Sequence, residues 1–227
     1  PLVSATVADR WFYFPIIGLL GIIGTLVQAY NINVQNKFLI SIFFVLVALF
    51  STRSFIRSFD WRDNFTLAFH DAKVSDSHIL ENAVSGGFLE QGKREEAKLH
   101  AEKSIQLFPY YTNYLALGNV YFAQKDYENA KASYLKGLEY GDLPQLYDNL
   151  ALLYSQGSDL MTAQSFIKQA LEKYPDEGKL WFTKGVVEYR LGNLEIAKSD
   201  LLQAYKLDKN INVSNLYKII SKEEKSH

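Results

Sequence analysis

The chain has no cysteine and a single methionine, and only five of its 227 residues are proline. Without cysteine there can be no disulfide, no thiolate nucleophile and no cysteine-ligated metal. The compartment stays open, because many extracytoplasmic proteins also lack cysteine. An excess of either charge is missing too: 24 Lys and Arg stand against 25 Asp and Glu, for a net charge of −1. That balance offers no bulk attraction to nucleic acid. No glycine-rich phosphate loop occurs: Gly86-Gly87 sits within a helical pattern, and the spacing from Gly18 to Gly24 suits close helix packing in a membrane. His70, His78, His100 and His227 show no i, i+3 or i+4 pairing, so no metal site is expected. No arrangement of Ser and His suggests a triad, and neither a cofactor nor a catalytic residue is assigned.

What the chain does have is a period. Ala97, Ala130, Ala163 and Ala197 recur at intervals of 33, 33 and 34 residues. Twelve residues before each stands Ser85, Gly118, Ala151 or Gly185, and seven after it Ser104, Gly137, Ala170 or Ala204. Large residues keep the same register, with Tyr114, Tyr147 and Trp181 sixteen before the alanine and Phe88, Tyr121 and Tyr154 nine before it. Small residues let two helices approach and aromatic residues fill the gaps beside them, so the spacing predicts stacked antiparallel helix pairs.

The second unit, YTNYLALGNVYFAQKDYENAKASYLKGLEYGD, resembles the tetratricopeptide (TPR) repeat, with its aromatic, Leu-Gly, Tyr, Ala and aromatic in order. The fourth unit departs from that pattern, with Lys184 for the usual Leu and Glu188 where an aromatic belongs. Pro109 and Pro175 close the first and third units, and Asp142 and Lys209 hold that place in the others. Four units follow, at 78–110, 111–143, 144–177 and 178–211. In residues 212–227 the stripe Val213, Leu216, Tyr217, Ile220 predicts a capping helix. The expected fold is all-α, a right-handed TPR solenoid behind a membrane hairpin.

The hairpin is read from residues 1–59. Phe12 to Tyr30 is a run of nineteen residues without charge, and a second uncharged run extends from Phe38 to Leu49. The first spans roughly 28 Å as a helix, close to the hydrocarbon core of a bilayer. The second reaches that length only with Ser51, Thr52 and the stem of Lys37. Transmembrane helices are therefore expected at about 11–30 and 37–56, with the lipid bilayer as a partner and a connecting helix in residues 60–77. The start at Pro1, with Met161 the sole methionine, reads as the continuation of a longer multi-spanning protein.

A second resemblance bears on this segment. ADRWFYFPIIGLLGIIG, with Asp9, Arg10, Tyr13, Pro15 and Gly18, is similar to a segment of multi-spanning membrane TPR proteins. They include the transmembrane, TPR-containing O-mannosyltransferases. WRDNFTLAFHDAKVSDS resembles the helix joining that family's last membrane helix to its first repeat. The resemblance implies a polyprenyl-phosphate lipid as sugar donor, with acidic catalytic residues in loops that this chain does not contain. Asp9, Arg10, Arg53 and Arg57 gather at one face of a hairpin, where they could bind a lipid phosphate or simply anchor the interface.

In the TPR register the first helix of each unit lines a groove. Its candidates are Asn82 and Leu89, then Leu115, Asn119 and Phe122, then Asp148, Leu152 and Ser155, then Phe182, Tyr189 and Arg190. The Lys/Asn/Arg clamp of chaperone-binding TPR domains is absent, since Asn119 has no lysine at the matching earlier sites. The groove suits an extended peptide or a protein surface. The expected function is a membrane-anchored TPR module for protein–protein interaction, with the acceptor-binding tail of a glycosyltransferase as the alternative and an assembly factor as a variant of the first. Arg10, Arg53, Arg57 and Arg62 argue for cytoplasmic repeats by the positive-inside rule. The family resemblance places the repeats outside, and the extracytoplasmic side is the expectation adopted.

Overall fold

The computed structural model describes residues 37–58, 63–157 and 159–223, with isolated positions 22, 25, 28 and 29. Apart from those four positions the expected helix at 11–30 lies outside the described residues, as do Asp9 and Arg10. The chain divides into two compact units, Pro1–His70 and Asp71–His227.

In the first unit, α1 (Lys37–Ser58) is a helix whose apolar residues, among them Phe43, Phe44, Leu49 and Phe50, are exposed. Among the described residues no helix is long and apolar enough to cross a membrane. The expected transmembrane hairpin is therefore without support there, and the charges say why. Only fifteen residues separate Lys37 from Arg53. As a helix they span roughly 22 Å, short of the ~30 Å hydrocarbon core. Arg53 is exposed on α1 and Arg57 belongs to the same helix. With Asp9 and Arg10 outside the described residues, the lipid-phosphate cluster is not assembled among them. α2 (Asn64–Ala72) starts at Asp63, whose carboxylate accepts from the Thr66 amide at 2.7 Å and the Thr66 hydroxyl at 2.9 Å. That is an N-cap contact of the kind that satisfies a free amide of the first turn.

The second unit continues with nine described helices: α3 (His78–Glu90), α4 (Arg94–Leu107), α5 (Tyr111–Ala123), α6 (Tyr127–Tyr140), α7 (Pro144–Gln156), α8 (Leu160–Lys173), α9 (Gly178–Arg190), α10 (Leu194–Leu207) and α11 (Ser214–Glu223). Consecutive helices pack as pairs, α3 on α4, α5 on α6, α7 on α8 and α9 on α10, and each pair packs on the next. All twelve periodic small residues are buried. A Cβ on Gly118 would strike the Tyr134 ring, and one on Gly185 would lie 3.1 Å from Leu201 and 3.2 Å from the Ala197 carbonyl. The size of one helix's residue is matched to its partner's: Gly118 faces Tyr134, whereas Ala151 sits in the cluster of the smaller Ile167.

The turns within pairs repeat as faithfully. The amides of Lys93, Asp126, Asp159 and Asn193 donate to the carbonyls of Phe88, Tyr121, Tyr154 and Glu188, five residues back, at 2.9–3.0 Å. This is the longer bond of a Schellman cap, which needs a left-handed residue just past the helix. Gly92 (φ 74°) and Gly192 (φ 84°) supply it in the first and fourth pairs, and Lys125 (φ 64°) does so in the second. At the far end, Val213, Leu216, Tyr217 and Ile220 of the α11 segment pack against Ala197, Leu201 and Ala204, covering the apolar end of the last pair.

Candidate protein-interaction face

The first helices of the pairs, α3, α5, α7 and α9, touch one another as well as their partners, and their contacts are polar. The Asn82 amide on α3 donates to Asn113 on α5 at 2.7 Å. Asn149 on α7 donates to the Asn119 carbonyl oxygen on α5 at 3.0 Å, and the Tyr134 hydroxyl donates to that same oxygen at 2.9 Å. Asp148 on α7, 3% exposed, accepts from the Thr183 hydroxyl and faces the Lys179 ammonium at 3.0 Å, both on α9. Arg190 donates to the Ser155 carbonyl. Tyr189 donates to Glu223 on α11 at 3.0 Å, and that bond, with partial burial, raises its phenol above the ordinary range.

Each rung joins residues 30–35 apart in sequence, about one repeat. The sequence register brings the expected groove residues to one side of the first helices, yet most of them are already engaged. Asn82, Asp148 and Arg190 hold neighbouring pairs together, and Tyr189 ties the last pair to α11. Phe122 packs on the Tyr134–Leu146 cluster and meets Tyr127 edge-on, and Phe182 packs against the last cluster. Leu89, Leu115 and Leu152 are half-buried beside these rungs, and the Ser155 hydroxyl turns back onto the Leu152 carbonyl.

Asn119 and Asn149 differ from the rest. Among the described residues, Asn119 spends its oxygen twice and its amide donor on nothing, and Asn149 spends its donor and leaves its oxygen without a partner. Each half-buried side chain thus keeps one edge of the amide, a donor on one and an acceptor on the other, for another molecule. Such a donor–acceptor pair matches the alternating N–H and C=O of an extended peptide backbone.

Sequence reasoning missed Asn113, Asn149, Lys179 and Thr183, the second halves of the rungs. It also passed over two histidines. His78 lies 3.2 Å from the Asn113 amide, and His100 Nδ1 lies 2.5 Å from the carboxylate of Glu81. Glu81 is buried and lies 2.6 Å from the Lys103 ammonium. Burial pushes its carboxyl up, but the bonds from Lys103 and His100 outweigh that and hold it below the ordinary range. The signal was available: Glu81 stands sixteen before Ala97, where the other units carry an aromatic.

The departures in the fourth pair are equally explicable. Lys184 reaches both oxygens of buried Asp200, at 2.7 and 2.9 Å, and lies 5.1 Å above the Trp181 ring. Glu188, 3% exposed, accepts from Gln164 and Asn193, each at 2.7 Å. Among the described residues no group of His, Asp and Glu could hold a metal ion.

Comparison with known proteins agrees with this architecture. The tetratricopeptide repeat profile matches residues 111–140 and 178–211. PilF of Pseudomonas aeruginosa has a similar structure, with TM-score 0.60 at 18% identity over 66% of this chain and 69% of that one. A chain of the APC/C hetero-tetramer Cut9-Hcn1 gives TM-score 0.56 at 17% identity over 59% of this chain and 26% of that one. This chain therefore spans about a quarter of that partner in the comparison. YrrB, described as a TPR protein with an unusual peptide-binding site, gives TM-score 0.50 at 22% identity over 65% and 76%. No curated protein matches by sequence. The resemblance to the O-mannosyltransferases gains no support from these comparisons. The profile matches, the four stacked helix pairs and the similar solved structures agree on one point: this chain carries tetratricopeptide repeats in an all-α solenoid-like fold.

Proposed function

We propose that the repeats are a protein–protein interaction module whose first-helix face takes an extended segment of a partner. The observation that carries this reading is the Asn119–Asn149 rung, with its unspent donor and acceptor beside Leu115, Phe122 and Leu152. A backbone lying across the rung satisfies both amides, and the half-buried leucines and Phe122 give side-chain pockets on either side. The peptide-binding site described for YrrB fits this reading at the level of the fold. A photocrosslinking residue at Leu115 should capture a partner polypeptide, and Asn119→Ala with Asn149→Ala should abolish the capture. Crosslinking confined to a probe at Leu99, exposed on α4, would place binding elsewhere.

Tethering at a lipid surface is the second reading, favoured by the exposed Phe43, Phe44, Leu49 and Phe50 of α1. Apolar side chains exposed in such number mark a membrane or protein contact. On this reading the repeats stand on the extracytoplasmic side, where protease added to intact spheroplasts cuts them. Protection until the membrane is permeabilised would put them inside.

A further inference from the structure

A cleft of about 430 Å³ opens between α8 and α9, walled by Ile167, Leu171, Trp181 and Val187, with Lys168, Glu172, Lys184 and Glu188 as its charged lining residues. On α9 the residues turned to it, Trp181, Lys184 and Glu188, lie on the side of the helix opposite Lys179, Thr183 and Arg190, which carry the rungs. The cleft is therefore separate from the proposed peptide face.

Lys168 and Glu172 line the cleft as exposed charges of opposite sign; the buried charge does not balance. Glu188 and Asp200 are both 3% exposed, and among the described residues the one ammonium in contact with either is that of Lys184, whose two hydrogen bonds both go to Asp200. Glu188 makes no ion pair among the described residues; its two bonds come from the neutral amides of Gln164 and Asn193. An ionised carboxylate offers about four lone-pair directions, of which two are used here. A buried carboxylate without a cation is costly unless something else brings one. The Asp200 carboxyl shows the same excess: burial pushes it up, Lys184 pulls against that, and Glu188 adds to the rise.

The repeats show what is missing. Lys98 lies 5.1 Å over the Tyr121 ring of the following pair, and Lys131, 33 residues on, lies 5.9 Å over Tyr154. One step further, the ring position is Glu188 and the lysine position is Gln164. A lysine at 164 would pair with Glu188 and close the account of charge; this chain has a neutral amide there instead. At the same junction Tyr134 of the preceding pair is replaced by the smaller Ile167, which leaves room in the cleft.

From this geometry we propose that the α8–α9 cleft receives a basic side chain, arginine or lysine, of a partner protein. Its aliphatic stem lies along Ile167, Leu171 and Val187, and its cationic head donates to the free lone pairs of Glu188. The cleft combines apolar walls, a volume in the range of small-ligand sites and one uncompensated buried charge. A long side chain with a single terminal charge is the group that meets all three.

The test follows the Trp181 indole N–H resonance of the full chain during titration with N-acetyl-arginine amide. A parallel titration uses the neutral N-acetyl-citrulline amide, nearly identical in shape. The expected result is saturable binding of the arginine amide, with Kd on the order of 10 mM, and at least about tenfold weaker binding of citrulline. Glu188→Gln should weaken arginine binding by about tenfold or more. Gln164→Lys should abolish it, because the protein then supplies its own cation, and should raise the thermal midpoint. Equal binding of arginine and citrulline, no saturable shift, or unchanged binding in Gln164→Lys would each overturn the proposal. Because Gln164→Lys adds a stabilising pair, it decides the matter even if Glu188→Gln fails to fold.

Discussion

At the position sixteen residues before each signature alanine, the second and third helix pairs carry Tyr114 and Tyr147, and the first carries Glu81. Three residues further along, the third pair has Leu150, wholly buried, and the fourth has Lys184. Across from these, on the second helix, the third pair places Phe166 against Tyr147 and Tyr154, while the fourth places Asp200 under Lys184 and the first places His100 beside Glu81. One backbone thus accommodates two kinds of interior. Between their two helices the middle pairs are filled chiefly by rings and aliphatic groups, whereas the outer pairs bury Glu81 against His100 and Lys103 and Asp200 against Lys184. The backbone bonds of the turns are the same in all four, so the pair geometry is set by the small residues and caps. What varies is how the space between the helices is filled. Hydrophobic filling is forgiving of small shifts, whereas a buried pair that loses a member leaves a charge stranded.

The largest contrast is expected from transplanting the filling. Lys184→Leu alone should cost roughly 3 kcal/mol, because Asp200 is left buried without its cation. Adding Asp200→Phe gives the fourth unit the Leu and Phe that the third carries at 150 and 166, where Phe166 packs on the cluster containing Leu150, and should recover most of that loss in a denaturant titration. A double variant no more stable than Lys184→Leu would show that the outer pair cannot house a ring, and the comparison would fail.

Next in size, Gly118→Ala should cost about 1–3 kcal/mol through overpacking, since the added methyl meets the Tyr134 ring. Gly185→Ala meets Leu201 and the Ala197 carbonyl at 3.1–3.2 Å and should cost less, as measured by thermal unfolding. A reversed order would mean that the fourth pair is the tighter of the two.

Acid should distinguish the two outer pairs from one another. The folded-state pKa of Glu81 is lowered from 4.5, so its contribution is present above that value and is lost as pH falls through the lower folded value. Asp200 is raised above 3.8, so the folded state holds a proton more readily than the unfolded one, and its cost appears as pH rises through the raised value. Amide exchange between pH 5 and 3 should therefore show α3 and α4 loosening while α9 and α10 hold. Glu81→Gln should flatten the acid loss in the first pair.

The smallest effect concerns the turns. Lys125 occupies a left-handed conformation that glycine fills at 92 and 192. Lys125→Gly should stabilise by up to about 1 kcal/mol, seen as a higher denaturation midpoint. Gly92→Lys should do the opposite.

The period made the helix pairs legible, because twelve positions restricted to Gly, Ala and Ser are hard to explain by anything except close helix approach. The capping stripe was legible for the same reason, since Val213 and Ile220 are buried where the pattern put them. The candidate face was only half readable. Register gave Asn82, Asn119 and Asp148 as residues of one side, but a single helix pattern cannot reveal that each reaches a helix about one repeat away. Asn113 and Asn149 escaped notice because a lone asparagine carries no periodic mark. Glu188 was visible as a departure, but its meaning needed the loss of lysine at 164, which shows only when the units are laid over one another in space. On α1, the apolar run was expected to span lipid only with Ser51, Thr52 and the stem of Lys37 added, and no described helix is long and apolar enough to do so.

The rungs between first helices have a mechanical consequence. Asn82–Asn113, Asn119–Asn149 and Thr183–Asp148 stitch one edge of the repeat stack with directional bonds. Away from that edge, α8 and α9 are separated in part by open space. The stack therefore resembles a laminated strip with one inextensible ply. Stretching the stitched edge breaks hydrogen bonds in turn, while flexing that narrows or widens the cleft works chiefly against apolar contact. A partner that fills the cleft changes the stiffness of the strip at that joint, and with it the curvature that a peptide on the stitched edge encounters.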